Sequence, residues 1–279
     1  MTTIAVIPAR YAATRFPGKP LAKQTGKFLV QHVYERAAAC RSIDRVIIAT
    51  DDERIASAVK SFDGKVVMTR PDHVSGTDRV GEVADGLDLA DDDLVLNVQG
   101  DEPEIEPRSL DRLVGRMKDL TGDLGIGTIA APFADAGPRE GPGSPLDPNC
   151  VKVVVNSGGG ALYFSRSAIP FPRDTAGRVD RPSRWLLHMG VYAFRRDMLR
   201  RISGGRMAPS TLERAESLEQ LRWLQNGIGV QVAVVEHAWV GIDTPEDYAA
   251  FVERWRDRVA PALRSDQDAP LGTGARGEP

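Results

Sequence analysis

The chain has 279 residues, of which 42% are hydrophobic and 27% are charged, and its formal net charge is −3. Such a chain can bury its own core without disulfides, so small disulfide-stabilised folds are excluded. Because charges of both signs are interspersed, nothing favours nucleic acid or an anionic membrane surface as a partner. The apolar N-terminal run is too short for a signal peptide, and Cys40 and Cys150 lack metal-ligand spacing, which indicates a reduced, cytoplasmic protein.

Short apolar segments alternate with helical patterns over the first 120 residues. Strands are predicted at 4–7, 45–50, 66–68 and 93–99, and helices at 28–39, 53–60 and 81–89. Nearly continuous apolar strands separated by helices are typical of a parallel sheet that is covered on both faces. The sequence therefore predicts an α/β fold with a mostly parallel central sheet.

The pattern changes in the second half of the chain. Gly- and Pro-rich loops separate the strands predicted at 125–131, 151–156 and 160–164, which favours a smaller antiparallel extension at about 125–200. Further on, the sequence predicts a helix at 212–226, a strand at 230–235 and a helix at 245–258. We predict a single domain over 1–258 and, because 259–279 has few large apolar residues, a disordered tail.

The loop after the first strand is rich in cations. In a parallel sheet, ligands bind beyond the carboxyl ends of the strands, where this loop should lie. Arg10, Arg15 and Lys19, close to Gly18, could wrap a polyanion such as a triphosphate, although a basic surface loop is the simpler interpretation. The sequence contains neither a P-loop nor a Gly-x-Gly-x-x-Gly motif, which argues against P-loop hydrolysis and hydride transfer.

A second polar loop follows the third strand. Ser75, Gly76 and Thr77 can offer hydroxyl and backbone N–H groups to a base edge or a phosphate at the start of a helix. The simpler interpretation is a capping turn, with Thr77 or Asp78 as the cap. His73, just before these residues, indicates no role by itself.

Two acidic segments are candidates for cation binding. Asp101 and Glu102 follow the fourth strand, where a carboxylate can hold Mg²⁺ next to phosphate, and Asp101 is the candidate ligand. Asp243 precedes Thr244 and Pro245, so a helix cap explains it fully. Only a partner such as Asp101 favours a metal-binding role for Asp243.

Together these motifs resemble one enzyme family. The matching segments are PARY (8–11), TR (14–15), PGKPL (17–21), ATD (49–51), SGTDR (75–79), NVQGDEP (97–103), ALYFSR (161–166), LEQLR (218–222) and GIDTPED (241–247). In this order they resemble the 3-deoxy-manno-octulosonate (KDO) cytidylyltransferases, also called CMP-KDO synthetases. The resemblance implies a Rossmann-like nucleotidyltransferase fold, a homodimer, Mg²⁺, and conversion of CTP and KDO to CMP-KDO and pyrophosphate for lipopolysaccharide biosynthesis.

The resemblance also implies roles for individual residues. Arg10, Arg15 and Lys19 would hold the CTP phosphates, and Lys19 would act in catalysis with the two Mg²⁺ ligands, Asp101 and Asp243. The residues around the cytosine would be Ala9, Ser75, Gly76, Thr77 and Arg79. The residues on the sugar side would be Gln99, Arg166, His188, Tyr192, Glu219 and Gln220. From the residues alone, Arg166 suits a sugar carboxylate, and His188 and Tyr192, four residues apart on a predicted strand, could point to one face. The simpler interpretations are a half-buried aromatic for Tyr192, a satisfied polar residue for His188, and a solvated helix surface for Glu219 and Gln220.

Two other functions stay open at this point. One is a cytidylyltransferase for another acid sugar, either 8-amino-KDO or a nine-carbon sugar of the sialic-acid type. The sialic-acid enzymes share the nucleotide loops but not the pairings at 99–103 and 218–222. The other is a catalytically silent nucleotide-binding module on the same fold, because a fold alone does not prove an activity.

Overall fold

The computed structural model describes residues 1–12, 15–120 and 124–267. Its strands are β1 (Thr3–Pro8), β2 (Arg45–Thr50), β3 (Val66–Met68), β4 (Leu94–Asn97), β5 (Ile126–Pro132), β6 (Lys152–Val155), β7 (Ala161–Ser165), β8 (Leu186–Arg195) and β9 (Val230–Val234). Its α-helices are α1 (Leu29–Ala38), α2 (Glu53–Lys60), α3 (Gly76–Asp85), α4 (Pro107–Lys118), α5 (Arg196–Ile202), α6 (Thr211–Glu216), α7 (Gln220–Gln225) and α8 (Pro245–Gln267). Short 3₁₀ turns cover Lys19–Leu21, Arg173–Thr175 and Pro182–Arg184.

The strands form one sheet in the order β3-β2-β1-β4-β8-β5-β9, with β6 and β7 attached as a hairpin beside β8. Strands β1 to β4 are mutually parallel, and β9 is parallel to β5. Strand β8 is antiparallel to both β4 and β5. The predicted α/β fold, with its mostly parallel sheet and antiparallel extension, is therefore confirmed.

The alternation of β1 explains how both faces of the sheet are covered. Ile4 and Val6 point into the core that α3, α5 and α7 build on one face, whereas Ala5 and Ile7 point into the core formed with α1, α2 and α4 on the other. All four side chains are fully buried. Continuous burial of a strand on both faces is what the uninterrupted apolar run predicts.

Several predicted helix boundaries are wrong. The helix predicted at 212–226 is two helices, α6 and α7, because Ser217 adopts a left-handed backbone conformation with φ 52° and ends α6. The helix predicted at 81–89 begins earlier, at Gly76, because the Ser75 side chain accepts a hydrogen bond from the Asp78 N–H and caps it. Ser75 is thus the cap, in place of Thr77 or Asp78.

The last helix is longer than the sequence predicts. Helix α8 continues to Gln267 and so extends into the segment predicted as a disordered tail. The rest of the predicted tail, 268–279, lies outside the described residues. Within the part of the chain that the structure covers, no helix combines the length and the apolar character needed to cross a membrane.

Candidate active site

A cleft opens where β1 and β4 end, at the point where the strand order changes direction. In the sheet, β2 and β3 lie on one side of β1, and β4 lies on its other side. The point where the strand order reverses in this way is the usual ligand position in an open parallel sheet. The cleft has a volume of ≈ 270 Å³ and is lined by Pro8, Ala9, Arg10, Ala12, Lys19, Pro20, Gly76, Gln99, Gly100 and Asp101. A larger cavity of ≈ 500 Å³ beside β9 lies away from these strand ends, so we assign the site to the smaller cleft.

Two glycines shape the cleft. A Cβ on Gly100 would lie 2.8 Å from the Pro8 carbonyl oxygen, so only glycine lets the loops after β1 and β4 come this close. At Gly76 a Cβ would have ordinary contacts, 3.6 Å to Pro8 Cγ and 3.7 Å to Asn97 Nδ2. Gly76 thus leaves the first turn of α3 open to the cleft, where its free N–H groups can face an anion.

Lys19 joins three segments that are distant in sequence. Its Nζ donates to Asp101 Oδ2 at 2.7 Å and to the Ile242 carbonyl at 2.5 Å, and lies 3.9 Å from Asp243 Oδ1. The Lys19 side chain is only 12% exposed, in contrast to the surface position expected of a loop cation. The structure therefore brings together the three residues that the sequence predicts as catalytic.

The structure distinguishes the two interpretations of Asp243. The cap of α8 is Thr244, whose Oγ1 accepts from the Asp247 N–H, and Asp247 Oδ2 accepts in return from the N–H groups of Asp243 and Thr244. The Asp243 carboxylate is therefore not needed as a helix cap. It lies 3.0 Å from a guanidinium nitrogen of Arg15 and faces the cluster around Lys19.

Glu102 lies behind this cluster. Burial raises the pKa of the Glu102 carboxyl well above its ordinary value, and the negative charges of Asp101 and Asp243 raise it further. Its Oε2 is buried without a hydrogen-bond partner among the described residues. Asp101 and Asp243 are thus the two carboxylates whose contacts with Lys19 the structure shows.

The donor set fits Mg²⁺ that is shared with a substrate. Among the described residues there is no group of three or more His, Cys, Asp or Glu side chains placed to hold a metal ion. Asp101 and Asp243 nevertheless offer two hard carboxylate donors at the edge of the cleft, and their side chains are 32% and 56% exposed. Mg²⁺ in phosphate-transfer sites is commonly bound by one or two carboxylates together with water and substrate phosphates.

Arg79 does not reach the cleft. Its side chain is fully buried, and its Nη1 lies 2.9 Å from Asp51 Oδ1 and contacts Thr69 Oγ1. Burial lowers the pKa of Arg79, partly countered by the charge of Asp51. In this structure Arg79 holds the loop after β2 to the start of α3, and its predicted contact with the nucleotide stays a prediction.

His188 and Tyr192 lie on one face of β8, as their spacing predicts, with ring centroids 5.4 Å apart. His188 Nε2 is 2.9 Å from Thr128 Oγ1, whose own hydrogen goes to the Val191 carbonyl, so the histidine is the donor. Burial lowers the pKa of His188 to about 3, which keeps the ring neutral. Tyr192 is buried in the core against Trp223.

Three other predicted sugar residues lie at two places, Glu219 and Gln220 at the start of α7 and Gln99 in the cleft. Thr77 Oγ1 donates to Glu219 Oε2 at 2.6 Å, which places Glu219 and the neighbouring, buried Gln220 beside the start of α3. Gln99 lines the cleft and donates to the Gly190 carbonyl at 3.3 Å. Burial raises the pKa of the Glu219 carboxyl, and the Thr77 hydroxyl opposes this shift.

Arg166 forms a clamp with backbone groups. Its Nε donates to the Glu216 carbonyl at 2.7 Å and its Nη1 to the Pro148 carbonyl at 2.9 Å, while its own N–H donates to Glu216 Oε2. The buried Lys152 in turn donates to the Arg166 carbonyl. The guanidinium is thus held by backbone carbonyls, and its predicted contact with a sugar carboxylate stays a prediction.

Sequence reasoning assigned no role to His73 and did not single out Glu82, two residues that are connected to the cleft through Arg10. Glu82 on α3 contacts His73 and the N–H of Arg70, and the His73 carbonyl accepts from Arg10. The only signal in the sequence is spacing: Glu82 is two helical turns after Ser75, the residue at the end of the loop. Such a contact depends on the path of the loop, which spacing does not specify.

The comparisons with known proteins agree with this arrangement. The model of a family described as cytidylyltransferase matches residues 4–233. A 3-deoxy-manno-octulosonate cytidylyltransferase of Syntrophotalea carbinolica is 46% identical over 251 residues, which are 88% of this chain and 96% of that protein. The enzyme of the same name from Geobacter sulfurreducens is 44% identical over 260 residues, 91% of this chain and 99% of its own.

The chain belongs to the 3-deoxy-manno-octulosonate cytidylyltransferase family. A solved CMP:2-keto-3-deoxy-manno-octonic acid synthetase in complex with CTP is 42% identical, covers 94% of this chain and 100% of its own, and superposes with a TM-score of 0.79. A 4-diphosphocytidyl-2C-methyl-D-erythritol synthase, at 16% identity and a TM-score of 0.57, shares the fold alone. The residues matched by the cytidylyltransferase family model, 4–233, include every residue that lines the cleft.

Proposed function

We propose that this protein is a nucleotidyltransferase that converts CTP and KDO to CMP-KDO and pyrophosphate. The observation that carries the proposal is the position of Lys19 between Asp101 and Asp243 at the mouth of the cleft. The family membership and the similarity to a synthetase that holds CTP support it. Nothing in the comparisons favours the other acid sugars or the silent nucleotide-binding module.

The cleft suits the nucleotide because its cations lie where phosphates would be held. Arg10 and Lys19 line the cleft, and Arg15 pairs with Asp243 beside Lys19. Arginine can make bidentate contacts with phosphate oxygens, and lysine provides a compact charge. Ala9 and the residues Ser75, Gly76 and Thr77 at the start of α3 are then the wall against which the cytosine lies.

The reaction is an in-line substitution at the α-phosphorus of CTP. The anomeric hydroxyl oxygen of KDO forms a bond to that phosphorus, the bond to the pyrophosphate oxygen breaks, and the hydroxyl proton is lost. Catalysis of this kind depends mainly on positioning and on electrostatic stabilisation of the phosphoryl oxygens. Lys19 is the residue placed for the second role, because its ammonium lies at the cleft and is held by Asp101.

Mg²⁺ belongs to the same proposal, with Asp101 and Asp243 as the side chains that would hold it together with phosphate oxygens. When bound, it would offset phosphate charge and lower the pKa of the attacking hydroxyl. Arg15 and Lys19 carry the two positive charges that lie against these two carboxylates.

The sugar side and the assembly complete the proposal. Gln99, Glu219 and Gln220 lie beside the cleft and the start of α3, and His188 and Tyr192 lie on the neighbouring strand β8. The Nδ1 atom of a neutral His188 can accept a hydrogen bond from a sugar hydroxyl. We also propose a homodimer that works in the cytoplasm, where the product would supply lipopolysaccharide biosynthesis.

The test is pyrophosphate release from CTP, measured in parallel with KDO, 8-amino-KDO, N-acetylneuraminate and no sugar. Each reaction is run with Mg²⁺ and again with excess chelator. We expect Mg²⁺-dependent release with KDO and little release without a sugar. Preference for 8-amino-KDO or N-acetylneuraminate would change the acceptor and keep the reaction, whereas CTP binding without any release would favour the nucleotide-binding module.

A further inference from the structure

We infer that His73 and Glu82 are positioning residues for CTP, acting through Arg10. Neither residue lines the cleft, and neither is among the residues that the family resemblance implies. The inference rests on the proposed function, because it concerns how the nucleotide side of that site is prepared.

The first step of the argument is the attachment of the loop 70–75 to helix α3. His73 Nε2 donates to Glu82 Oε2, and the Arg70 N–H donates to the same carboxylate oxygen at 3.1 Å. The His73 side chain is only 3% exposed, so its ring is packed between the loop and the helix. Although burial raises the pKa of Glu82, these hydrogen bonds hold it below its ordinary value, which keeps the carboxylate charged.

The second step is the contact between this loop and the cleft. Arg10 donates from Nη2 to the His73 carbonyl oxygen at 2.6 Å. A guanidinium has five donor hydrogens, so this bond leaves Arg10 able to bind phosphate oxygens. The carbonyl can hold Arg10 in place only if residue 73 is itself held, and the Glu82 carboxylate does this.

The third step is that Arg10 needs such an acceptor. Arg10 is exposed on the cleft side, and its charge is near that of the buried Arg79, where it contributes to lowering the pKa of Arg79. A long, exposed side chain loses rotamer freedom when it is held in one position. A fixed carbonyl that already orders Arg10 removes this entropic cost from the step in which the nucleotide binds.

The experiment compares His73→Leu, His73→Gln, Glu82→Ala and Glu82→Gln with the unmodified protein. We expect His73→Leu and Glu82→Ala to raise the KM for CTP and weaken CTP binding in calorimetry by about 3- to 10-fold, the range for one side chain that must be ordered on binding. The KM for the sugar should change less than the KM for CTP, because His73 contacts the nucleotide-side Arg10, whereas the sugar-side Glu219 is contacted by Ser75 at the far end of the loop. His73→Gln, which keeps a donor, should recover part of the loss.

The decisive measurement is a double-mutant cycle with Arg10→Met. If His73 acts through Arg10, then His73→Leu adds little further loss of CTP affinity once Arg10 is gone. Asp85→Asn is the matched control, because Asp85 lies on the same helix and pairs with Arg196 at 2.6 Å, away from the cleft. It should alter thermal stability without changing the KM for CTP. Glu82→Gln preserves side-chain size and serves if Glu82→Ala does not fold.

Two results would overturn the inference. One is unchanged CTP affinity in folded His73→Leu and Glu82→Ala. The other is a loss of equal size with and without Arg10, which would mean that the pair supports the fold and not this arginine. An unmodified protein that neither binds CTP nor releases pyrophosphate would instead overturn the proposed function as well, so the two failures are distinguishable.

Discussion

Thr77 donates from Oγ1 to Oε2 of Glu219 at 2.6 Å and so joins the first turn of α3 to the start of α7. Thr77 belongs to the nucleotide side of the proposed site and Glu219 to the sugar side. One hydrogen bond between α3 and the start of α7 therefore links the two halves of the proposed site. Glu219 is the more sensitive partner, because burial already raises the pKa of its carboxyl.

The first prediction concerns this link. Thr77→Val keeps the shape of the side chain but removes the Thr77 hydroxyl that donates to Glu219, so the pKa of Glu219 should rise further. We expect the KM for the sugar to rise by about tenfold, since one hydrogen bond to a carboxylate is lost, and the KM for CTP to rise less. Steady-state kinetics with each substrate varied in turn measure it. Thr211→Val, on α6, is the matched control, and an effect confined to CTP would contradict the assignment of Glu219 to the sugar side.

The second prediction concerns Lys19. Lys19→Ala should lower kcat by about 10²-fold, because an electrostatic contact to the reacting phosphate is lost. It should also lower the free energy of unfolding by about 1–3 kcal/mol, because Lys19 is nearly buried and donates to Asp101 and to the Ile242 carbonyl. Kinetics and urea denaturation of the same preparation separate the two effects. Normal kcat in the folded variant would show that Lys19 is structural only.

The third prediction concerns the two carboxylates. Asp101→Asn or Asp243→Asn should each lower kcat by about 10²-fold or more and shift the Mg²⁺ dependence of the rate to higher concentrations. The fold should remain, since both side chains lie at the edge of the cleft. The measurement is a Mg²⁺ titration of the rate at saturating substrates, with Glu246→Gln, an exposed residue on the same segment, as the control. Near-normal rates in both variants would falsify the assignment of these residues as Mg²⁺ ligands.

The fourth prediction sets two glycines against each other. Gly100→Ala should cost about 1–3 kcal/mol of stability, because its Cβ would meet the Pro8 carbonyl at 2.8 Å and backbone must move. Gly76→Ala has only ordinary contacts, so the protein should fold normally but bind CTP more weakly, because the new methyl group covers the first turn of α3. Thermal melting measures the stability of the two variants, and calorimetry measures their binding of CTP. Equal or reversed effects in the two variants would disprove the proposed geometry.

The fifth prediction is a pH dependence of stability that arises from His32. This residue is 3% exposed, packs its ring against Phe251 and Trp255, and hydrogen-bonds to Thr25. Burial lowers its pKa from 6.5 to about 4. Between these values the unfolded chain binds a proton that the folded protein does not, so stability should fall as the pH is lowered, by at most about 1.4 kcal/mol per pH unit.

The measurement for His32 is urea denaturation at a series of pH values between about 4 and 7, for the unmodified protein and for His32→Gln. His188, whose pKa is also lowered, contributes equally to both and cancels in the comparison. A shallower slope in His32→Gln is expected. Parallel slopes would mean that His32 titrates normally in the folded protein.

The sequence was informative wherever a pattern depends on local chemistry. The apolar runs of β1, β2 and β4 predict strands that are buried on both faces, and the strand order then places Lys19 and Asp101 at one cleft. The left-handed Ser217 was not predictable, because serine has no particular preference for this conformation. The roles of Arg79 and Arg166 in the structure depend on long-range contacts with Asp51 and Glu216, which no spacing along the chain encodes.

The cluster around Lys19 also has an order of assembly. Lys19 and Asp101 emerge early in synthesis, whereas Ile242 and Asp243 come from the segment just before α8. The first 240 residues contain every strand of the described sheet and every residue that lines the cleft, yet they lack the carbonyl and the carboxylate that lie against Lys19. Lys19 therefore gains all of these partners only once the segment before α8 has been synthesised, after the rest of the sheet.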